Sequence, residues 1–386
     1  MSVRRKVLVV IGQLEVGGAE RHLLHVLPKL RLDVLDVTVY AMRSGGALES
    51  EFSAAGIRTI SPAHHSRRWI GLLRTAIHLT RTARELRPDV VHYFLPEAYL
   101  LGGLCSMFWP PCIHLMSRRS LNKYQRKRPF VRQIEGFLHS RMDGILANSK
   151  AVWHELGDEG VESKQRAIIY NGVGYGASTA SRIETRQALD LAENVLVFVM
   201  VANFIPYKGH KDLISALAIA RDELPHEWKL LLIGRDSGIE EELRTAACRA
   251  NIDSHIRWLG AKRNPVPYLL AADVALLTSY EEGFSNAILE AMSVGLPLLV
   301  TDVGGNREAV VNDVTGIVVP PNAPEDLARA ILRIAHNPQL REEMANAGRD
   351  RVEKHFSLDE CARSYENLYL RIESSRSAPL QELIAS

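Results

Sequence analysis

The sequence predicts an α/β chain of two domains, each built on a doubly wound parallel sheet. Short apolar runs such as KVLVVIG and VALLTS alternate with helical patterns along the whole chain, which is typical of strands and helices in such sheets. With 386 residues the chain exceeds a typical single core. The series of runs also restarts after NGVGYGASTASRIET, a stretch from Asn171 that is rich in glycine and small polar residues. That stretch is the best linker candidate.

The first domain is predicted to span residues 1–180. Its first strand, KVLVVIG, is followed by a helix from about 19 to 30, and DVTVYAM by a helix around 48–55. DVVHYF then precedes a helix over 98–107, and GILANS and AIIYNGV are the last predicted strands. The basic N-terminus leads straight into this first strand and a glycine loop, so a signal peptide is not expected.

The second domain is predicted to span residues 190–355. Its strands are NVLVFVMVANF, KLLLIGR, HIRWLG, VALLTS, LPLLVT and GIVVP. A further helical pattern follows, from about 357 to 380. Parallel strands present their carboxyl ends at one edge of a sheet, so binding residues are expected in the loops at that edge.

The segment EGFSNAILEAMSVGLPLLVTDVGGNREAV, residues 282–310, is the richest in chemistry. A loop begins near Tyr280, and Ser285 or Asn286 is a good N-cap for a helix that stops at Gly295. Such a helix start offers free amides and a positive dipole end to a phosphate. Glu282 lies on the loop and Glu290 in the helix. Two glutamates eight apart also occur on solvated helix faces, but this pair stands in an apolar, glycine-punctuated context.

This segment resembles the E-x7-E signature of retaining glycosyltransferases of the GT-B fold, the family of glycogen synthases and mannosyltransferases. The resemblance implies two Rossmann-like domains facing across a deep cleft, with the terminal helix crossing back to the first. It implies that Glu282 touches the hydroxyls of the donor sugar and that Glu290 binds the ribose. The remaining donor-binding residues that it implies in this segment are Gly283, Phe284, Ser285 and Asn286.

A second loop, in VANFIPYKGHKDLISAL, resembles the donor-phosphate loop of the same family. Lys208 would neutralise the leaving diphosphate, although a plain solvent-facing lysine is the alternative. Asn203 stands where the family usually has an arginine, and Arg235 is the proposed substitute. The resemblance places Gly234 where it can approach the nucleotide base.

The first domain offers less specific candidates. GQLEVGGAERHLLHVL contains neither GxGxxG nor a P-loop, which argues against a dehydrogenase and an NTPase. Gly17 and Gly18 resemble the first donor loop of the family, and a plain tight turn is the alternative. The family also has a histidine near the sugar, for which the stretch IHLMSRRS offers His114 or Arg118. The sequence does not choose between them, and a buried histidine or a surface arginine fits equally well.

The resemblance implies a retaining, metal-independent hexosyltransferase. A nucleotide diphosphate sugar would be its co-substrate, with a UDP-sugar favoured and GDP-mannose as the alternative. No cofactor and no metal are implied, and the DxD signature of metal-dependent transferases is absent. The acceptor would be a hydroxyl of a glycan or of a polyprenyl-diphosphate-linked saccharide. An epimerase of the same fold, a sugar-nucleotide sensor without turnover and a membrane scaffold remain as alternatives.

Charge and cysteine content point to a cytoplasmic protein, peripheral on the inner face of the membrane. Residues 1–190 hold 27 Lys and Arg against 17 Asp and Glu, and the remainder holds 20 against 28. A basic half suits an anionic membrane or a phosphorylated acceptor. Two basic stretches, residues 66–87 and 117–133, are candidates for that contact, although ordinary solvated helices explain them too. In the first stretch, one side is predicted to carry Trp69, Leu72, Leu73, Ala76 and Leu79.

Nucleic acid is not expected, since no binding motif accompanies the basic runs. Four scattered cysteines indicate neither a disulfide framework nor a zinc site.

Overall fold

The computed structural model describes residues 4–63, 68–121, 129–174, 181–225, 227–373 and 378–385. Parts of the predicted linker and of the second basic stretch, residues 175–180 and 122–128, lie outside these ranges. The chain divides into a first unit, Met1–Gly172 with Leu358–Ser386, and a second unit, Val173–Ser357. The sequence placed this division between residues 180 and 190.

The first unit is built on a parallel sheet with the strand order β3-β2-β1-β4-β5-β6-β7. Its strands in the described residues are β1 Arg5–Ile11, β2 Leu35–Ala41, β3 Arg58–Ile60, β4 Val90–Phe94, β5 Ile113–Arg118, β6 Gly144–Ala147 and β7 Arg166–Ile168. The predicted α/β class is confirmed. The strands β3 and β5 were missing from the prediction, because β3 is very short and the run IHLMSR contains polar residues.

Helices cover both faces of this sheet. The helices in chain order are α1 Gly18–Val26, α2 Glu49–Ala54, α3 Arg68–Leu86, α4 Pro96–Cys105, α5 Pro129–His139 and α6 Lys150–Asp158. Alternate residues of β1 face opposite ways: Val7 and Val9 pack in one apolar cluster and Leu8 and Val10 in another. This continuous apolar run is what a strand buried on both faces requires.

The C-terminal segment returns to the first unit as α15 Leu358–Arg371 and the short α16 Leu380–Ile384. Tyr365, Leu368 and Tyr369 of α15 are buried in the same cluster as Val7 of β1. The Arg5 guanidinium fastens the end of this helix by donating to the carbonyls of Leu370 and Ile372, at 2.8 and 2.6 Å.

The second unit holds a parallel sheet with the order β10-β9-β8-β11-β12-β13. Its described strands are β8 Leu196–Val201, β9 Trp228–Ile233, β10 Ile256–Gly260, β11 Val274–Leu277, β12 Leu298–Thr301 and β13 Gly316–Val319. Its helices are α7 Arg182–Ala188, α8 His210–Ala220, α9 Glu240–Arg249, α10 Val266–Ala271, α11 Asn286–Ser293, α12 Asn306–Ala309, α13 Pro324–Ala335 and α14 Pro338–His355. Because β9, β8, β11 and β12 are consecutive neighbours, the loops that follow them meet at one edge of the sheet.

Helix α3 is rotated relative to the side predicted from its largest apolar residues. Leu79 is buried as expected, but Leu72 and Leu73 are exposed, and the side chain of Trp69 lies outside the described residues. Thr75 faces the sheet instead, and its hydroxyl donates to the Met42 carbonyl at 3.4 Å. A threonine that satisfies its hydroxyl in this way can be buried at little cost. Among the described helices, none is long and apolar enough to cross a membrane.

Candidate functional site

The second unit brings Lys208 and Glu282 into direct contact. Lys208 Nζ lies 2.6 Å from Glu282 Oε1, and the Ser279 hydroxyl donates to the same oxygen at 2.7 Å. The side chains of Lys208 and Glu282 are 18% and 9% exposed. Lys208 follows β8 and Glu282 follows β11, so two neighbouring strand ends supply a partly buried ion pair. Ion pairs held in this way are screened less than surface pairs.

The glycine after Lys208 allows the loop after β8 and the loop after β11 to pack closely together. Gly209 has φ +71°, and a Cβ there would stand 1.9 Å from the Thr278 carbonyl oxygen. Thr278 Oγ1 donates to the Gly209 carbonyl at 3.0 Å, and the Tyr280 amide donates to the Tyr207 carbonyl at 2.7 Å. The backbone of one loop therefore packs directly on that of the other, which fixes the position of Lys208.

The loop after β12 supports Glu282 from the other side. Gly304 has φ +50°, and a Cβ there would lie 1.7 Å from the Glu282 carbonyl oxygen. The Gly305 amide donates to the Gly283 carbonyl at 2.9 Å. The Thr301 hydroxyl donates to the Ser279 carbonyl at 2.5 Å. Three successive strand ends thus determine where the Glu282 carboxylate lies.

Helix α11 begins immediately after the loop that carries Glu282, with Ser285 as its N-cap. The Ser285 side chain makes no capping hydrogen bond to the helix. Phe284 is buried and its ring lies 5.3 Å from that of Phe356, so this side chain anchors the helix start. Asn286 and Glu290 are both half-buried and lie one turn apart on one side of the helix. The two glutamates are thereby presented by one loop and the helix that it begins.

The Asn203 side chain and the following residue both hydrogen-bond to the backbone of Arg235. The Asn203 side-chain oxygen accepts from the Arg235 amide at 3.0 Å, and the Phe204 amide donates to the Arg235 carbonyl at 2.9 Å. A Cβ on Gly234 would lie 2.1 Å from the Ala202 carbonyl oxygen, so this position requires glycine. The asparagine that replaces the expected arginine therefore fixes the backbone of the residue proposed to substitute for it.

Gly17 and Gly18 lie at the start of α1, with Gly17 as its N-cap. A Cβ on Gly17 would stand 2.3 Å from Glu20 Oε2, so the Glu20 carboxylate folds over the glycine. Glu20 is buried, and that burial raises its pKa. The carboxylate occupies the position at the helix start where another anion could bind.

His114 and Arg118 lie at opposite ends of β5. The His114 amide donates to Asp143 at 2.8 Å, and its ring lies 3.1 Å from the Tyr93 hydroxyl, at the amino end of the strand. Burial lowers the pKa of His114 to about 4. The predicted binding edge of a parallel sheet is the other one. The half-buried His114 ring therefore lies at the edge opposite to the predicted binding edge, and its catalytic role stays a prediction.

Arg118 lies at the carboxyl end of β5 but is not a surface residue. Its guanidinium pairs with Glu159 at 3.2 Å and with Glu135 at 3.5 Å, and it lies 3.4 Å from His139 Nε2. These same three partners form a group whose potential metal-ligand atoms lie within 4.8 Å of one another in the described residues. The guanidinium already supplies the cation there. Arg118 thus joins β5 to α5 and α6.

The next residue, Arg119, was missed by the sequence analysis. Its guanidinium donates to the Asn171 side chain at 2.7 Å, and its carbonyl accepts from Asn148 at 3.2 Å. The positive charge of Arg119 helps to lower the pKa of His92 and opposes the burial that raises the pKa of Glu20. Arg119 therefore lies at the edge that also holds Gly17. Nothing in SRRS distinguished the two arginines, because β5 ends between them and its end is not marked in the sequence.

Buried neutral histidines should make the protein acid-sensitive. His92 lies between the Tyr369 and Ser117 hydroxyls, at 2.7 and 2.8 Å, and burial lowers its pKa to about 3 from the ordinary 6.5. Between these values the unfolded chain binds a proton that the folded chain does not, so stability falls as the pH falls below 6.5. Each such histidine contributes about 1.4 kcal/mol per pH unit. Urea unfolding measured at several pH values across this range should show that the unfolding free energy of His92→Gln depends less steeply on pH than that of the unchanged protein. Exposed His336→Gln is the control, and equal slopes for His92→Gln and the unchanged protein would contradict the assignment.

Comparison with known proteins identifies the family. The model for glycosyl transferases group 1 matches residues 181–351, and the model for glycosyltransferase family 4 matches residues 16–174. The chain belongs to the group 1, family 4 type of glycosyltransferases. The predicted resemblance is confirmed at that level.

Relatives and solved structures agree with this placement. The glycosyltransferase is 25% identical over 352 residues to the lipopolysaccharide core biosynthesis glycosyltransferase LpsE of Rhizobium meliloti, covering 91% of this chain and 95% of that protein. It is 30% identical over 278 residues to a D-inositol 3-phosphate glycosyltransferase of Kribbella flavida, covering 67% and 66%. The structure of Anabaena HepE in complex with UDP and glucose matches with a TM-score of 0.85 at 22% identity, covering 96% of this chain and 100% of HepE. The two units are accordingly the two Rossmann-like domains of a GT-B fold.

Proposed function

We propose that this glycosyltransferase binds a nucleotide diphosphate sugar in its second unit and transfers the sugar to an acceptor hydroxyl with retention of configuration. The carrying observation is the Lys208–Glu282 pair at adjacent strand ends, beside the start of α11. HepE has been solved with UDP and with UDP-glucose, which supports a UDP-sugar as the favoured donor over GDP-mannose.

In this proposal Lys208 and the start of α11 stabilise the diphosphate that leaves. An ammonium group has three protons, so Lys208 can donate to Glu282 and still offer protons to phosphate oxygens. The amides of Ser285 and Asn286 add the positive end of the α11 dipole. Such prearranged donors usually lower the reaction barrier more than any other feature of an active site of this kind. The scheme requires no metal, and Arg235 would supply the further charge that is missing at Asn203.

Glu282 is proposed to orient the donor sugar. Its two hydrogen-bonded partners, Lys208 and Ser279, both reach Oε1, so Oε2 is the atom that we assign to the sugar hydroxyls. Glu290, one turn into α11, is assigned to the ribose. These carboxylates bind and position, and neither is assigned as a nucleophile.

Retention then follows from reaction on one face of the sugar. The bond from the anomeric carbon to the phosphate oxygen breaks, the acceptor oxygen bonds to that carbon on the same face, and the acceptor proton passes to the departing phosphate. The LpsE relative acts in lipopolysaccharide core biosynthesis, which supports a glycan or lipid-linked saccharide as the acceptor. Cell-surface polysaccharide or glycoconjugate synthesis in the cytoplasm is the corresponding proposed role.

Thermal unfolding with a panel of UDP, GDP and their sugars tests donor binding. A ligand at a hundred times its Kd stabilises the folded state by about 2.7 kcal/mol, which should raise Tm by about 5 °C. We expect UDP-sugars to produce this shift and Lys208→Met to remove it. Lys211→Met, on the exposed side of α8, should keep it. If no nucleotide shifts Tm, the donor proposal is wrong. Binding of a nucleotide sugar without any transfer product in a screen of acceptors would favour the alternative of a sugar-nucleotide sensor without turnover.

A further inference from the structure

Helix α3 of the first unit carries an outward stripe of exposed apolar residues accompanied by arginines. At helical spacing the exposed residues on this side are Ile70, Leu73, Arg74, Ile77, Arg81 and Arg84. Leu73 is 63% exposed and Ile77 54%. The exposed acid of this helix, Glu85, lies at the margin of the stripe. An apolar stripe flanked by arginines, with little opposing charge, is the pattern of a helix that lies in a membrane interface.

The exposed end of α4 extends this stripe. Arg84 donates through Nη2 and Nε to the Phe108 carbonyl at 2.9 and 3.1 Å, and Trp109 Nε1 donates to the Thr80 hydroxyl at 3.3 Å. These contacts fix the turn after α4 against the last turns of α3. Phe108 is 65% exposed, and Met107 and Leu104 beside it are exposed too. Large exposed apolar side chains that are contiguous indicate an interaction surface.

A cavity of about 650 Å³ opens where this surface meets the amino end of β1. Its cationic lining residues are Arg4, Arg5 and Arg87, with Asp89 as the one acid among the described lining residues. The Asp89 carboxylate already accepts from the Lys6 amide at 2.8 Å. The remaining wall is largely apolar and is made by Ala83, Pro88, Trp109, Pro110, Pro111, Cys112 and Ile113. The cavity therefore combines positive charge with apolar surface, next to exposed Phe108.

We propose that the outward side of α3, the turn after α4 and this cavity form one docking surface for an anionic phospholipid membrane. Leu73, Ile77 and Phe108 would enter the acyl boundary, while the arginine stems extend their charges to the lipid phosphates. Arg4 and Arg87 would bind the phosphate of one headgroup in the cavity. Charge complementarity favours a membrane over a protein partner, since each arginine near an anionic bilayer contributes independently. This inference concerns the first unit and does not depend on the donor site.

Vesicle co-sedimentation of the full chain tests the proposal, using phosphatidylcholine vesicles with and without phosphatidylglycerol. We expect binding to the anionic vesicles alone. The double variant Leu73→Ser/Ile77→Ser and the variant Arg74→Glu/Arg81→Glu should each weaken it at least about tenfold. Matched controls on exposed residues of the second unit, Ile219→Ser and Arg329→Glu, should bind as the unchanged protein does.

A separate variant tests whether the cavity takes part in docking. Arg87 has φ +47°, a conformation that asparagine adopts more readily than most residues, so Arg87→Asn removes the charge without adding backbone strain. It should weaken binding to anionic vesicles several-fold. The Tm without ligand should be unchanged in all these variants, which separates loss of docking from loss of the fold. Absence of anionic-vesicle binding by the unchanged protein would overturn the proposal. So would a dimer that Leu73→Ser/Ile77→Ser converts to monomer, since a second copy would then cover this surface.

Discussion

Glu282→Ala is expected to abolish sugar transfer while the chain still folds. The Glu282 carboxylate lies 2.6 Å from Lys208 Nζ and accepts from the Ser279 hydroxyl at 2.7 Å. Removing it therefore takes away the proposed sugar ligand and frees Lys208 to move. Loss of a positioning group of this kind costs about 100-fold to 1,000-fold in rate. Initial rates of nucleoside diphosphate release, with donor and acceptor saturating, measure the effect. Near-normal turnover would show that the site has been assigned wrongly.

A pair of further variants separates the catalytic role of this contact from its structural one. Glu282→Gln leaves Lys208 partly buried without its counter-charge, which should cost about 2 kcal/mol of unfolding free energy. Adding Lys208→Met removes the unpaired charge and should restore much of that stability. Activity should stay lost in the double variant. Recovery of transfer together with stability would mean that the pair only supports the fold.

Among substitutions of glycine by alanine in the second unit, Gly304→Ala is expected to cause the largest loss of stability and of sugar transfer. Its Cβ would stand 1.7 Å from the Glu282 carbonyl oxygen, at φ +50°. Because backbone cannot yield as a flexible side chain does, the loop that carries Glu282 must move. We expect about 3 kcal/mol of destabilisation and a fall in transfer as large as that of Glu282→Ala. Urea unfolding and initial rates measure the two effects.

Gly238→Ala is the matched control for this variant. Gly238 also has positive φ, +97°, but a Cβ there would meet no atom within 4 Å. Alanine should therefore cost about 1 kcal/mol for backbone strain alone and leave transfer unchanged. Equal losses in the two variants would place the cause in backbone strain rather than in the displaced loop.

The local structure around Glu282 could be predicted from sequence because several signals agreed there. VALLTS and LPLLVT are strands β11 and β12, and the helix between them begins after Ser285, as the N-cap and glycine signals indicated. Where such signals were weak, the prediction failed. The run IHLMSR forms β5 although His114 and Ser117 interrupt its apolar pattern, since tertiary hydrogen bonds satisfy them.

Contacts between distant residues could not be predicted in the same way. Lys208 and Glu282 are 74 residues apart, and their pairing depends on β8 lying beside β11. Arg118 and Arg119 are adjacent in sequence, yet one is buried among glutamates and the other binds Asn171. Which arginine faces inward depends on where β5 ends, and that end was not visible in the sequence.

Hydrogen exchange with and without UDP tests the central claim most directly, because it locates the donor without knowledge of the acceptor. UDP should slow exchange of backbone amides in the loops and helix starts that follow β8, β9 and β11, around Lys208, Arg235 and Asn286. Protection there, reduced by Lys208→Met, is the predicted result. Protection confined to the first unit, or no protection at saturating UDP and GDP, would contradict a donor site built on Lys208 and Glu282.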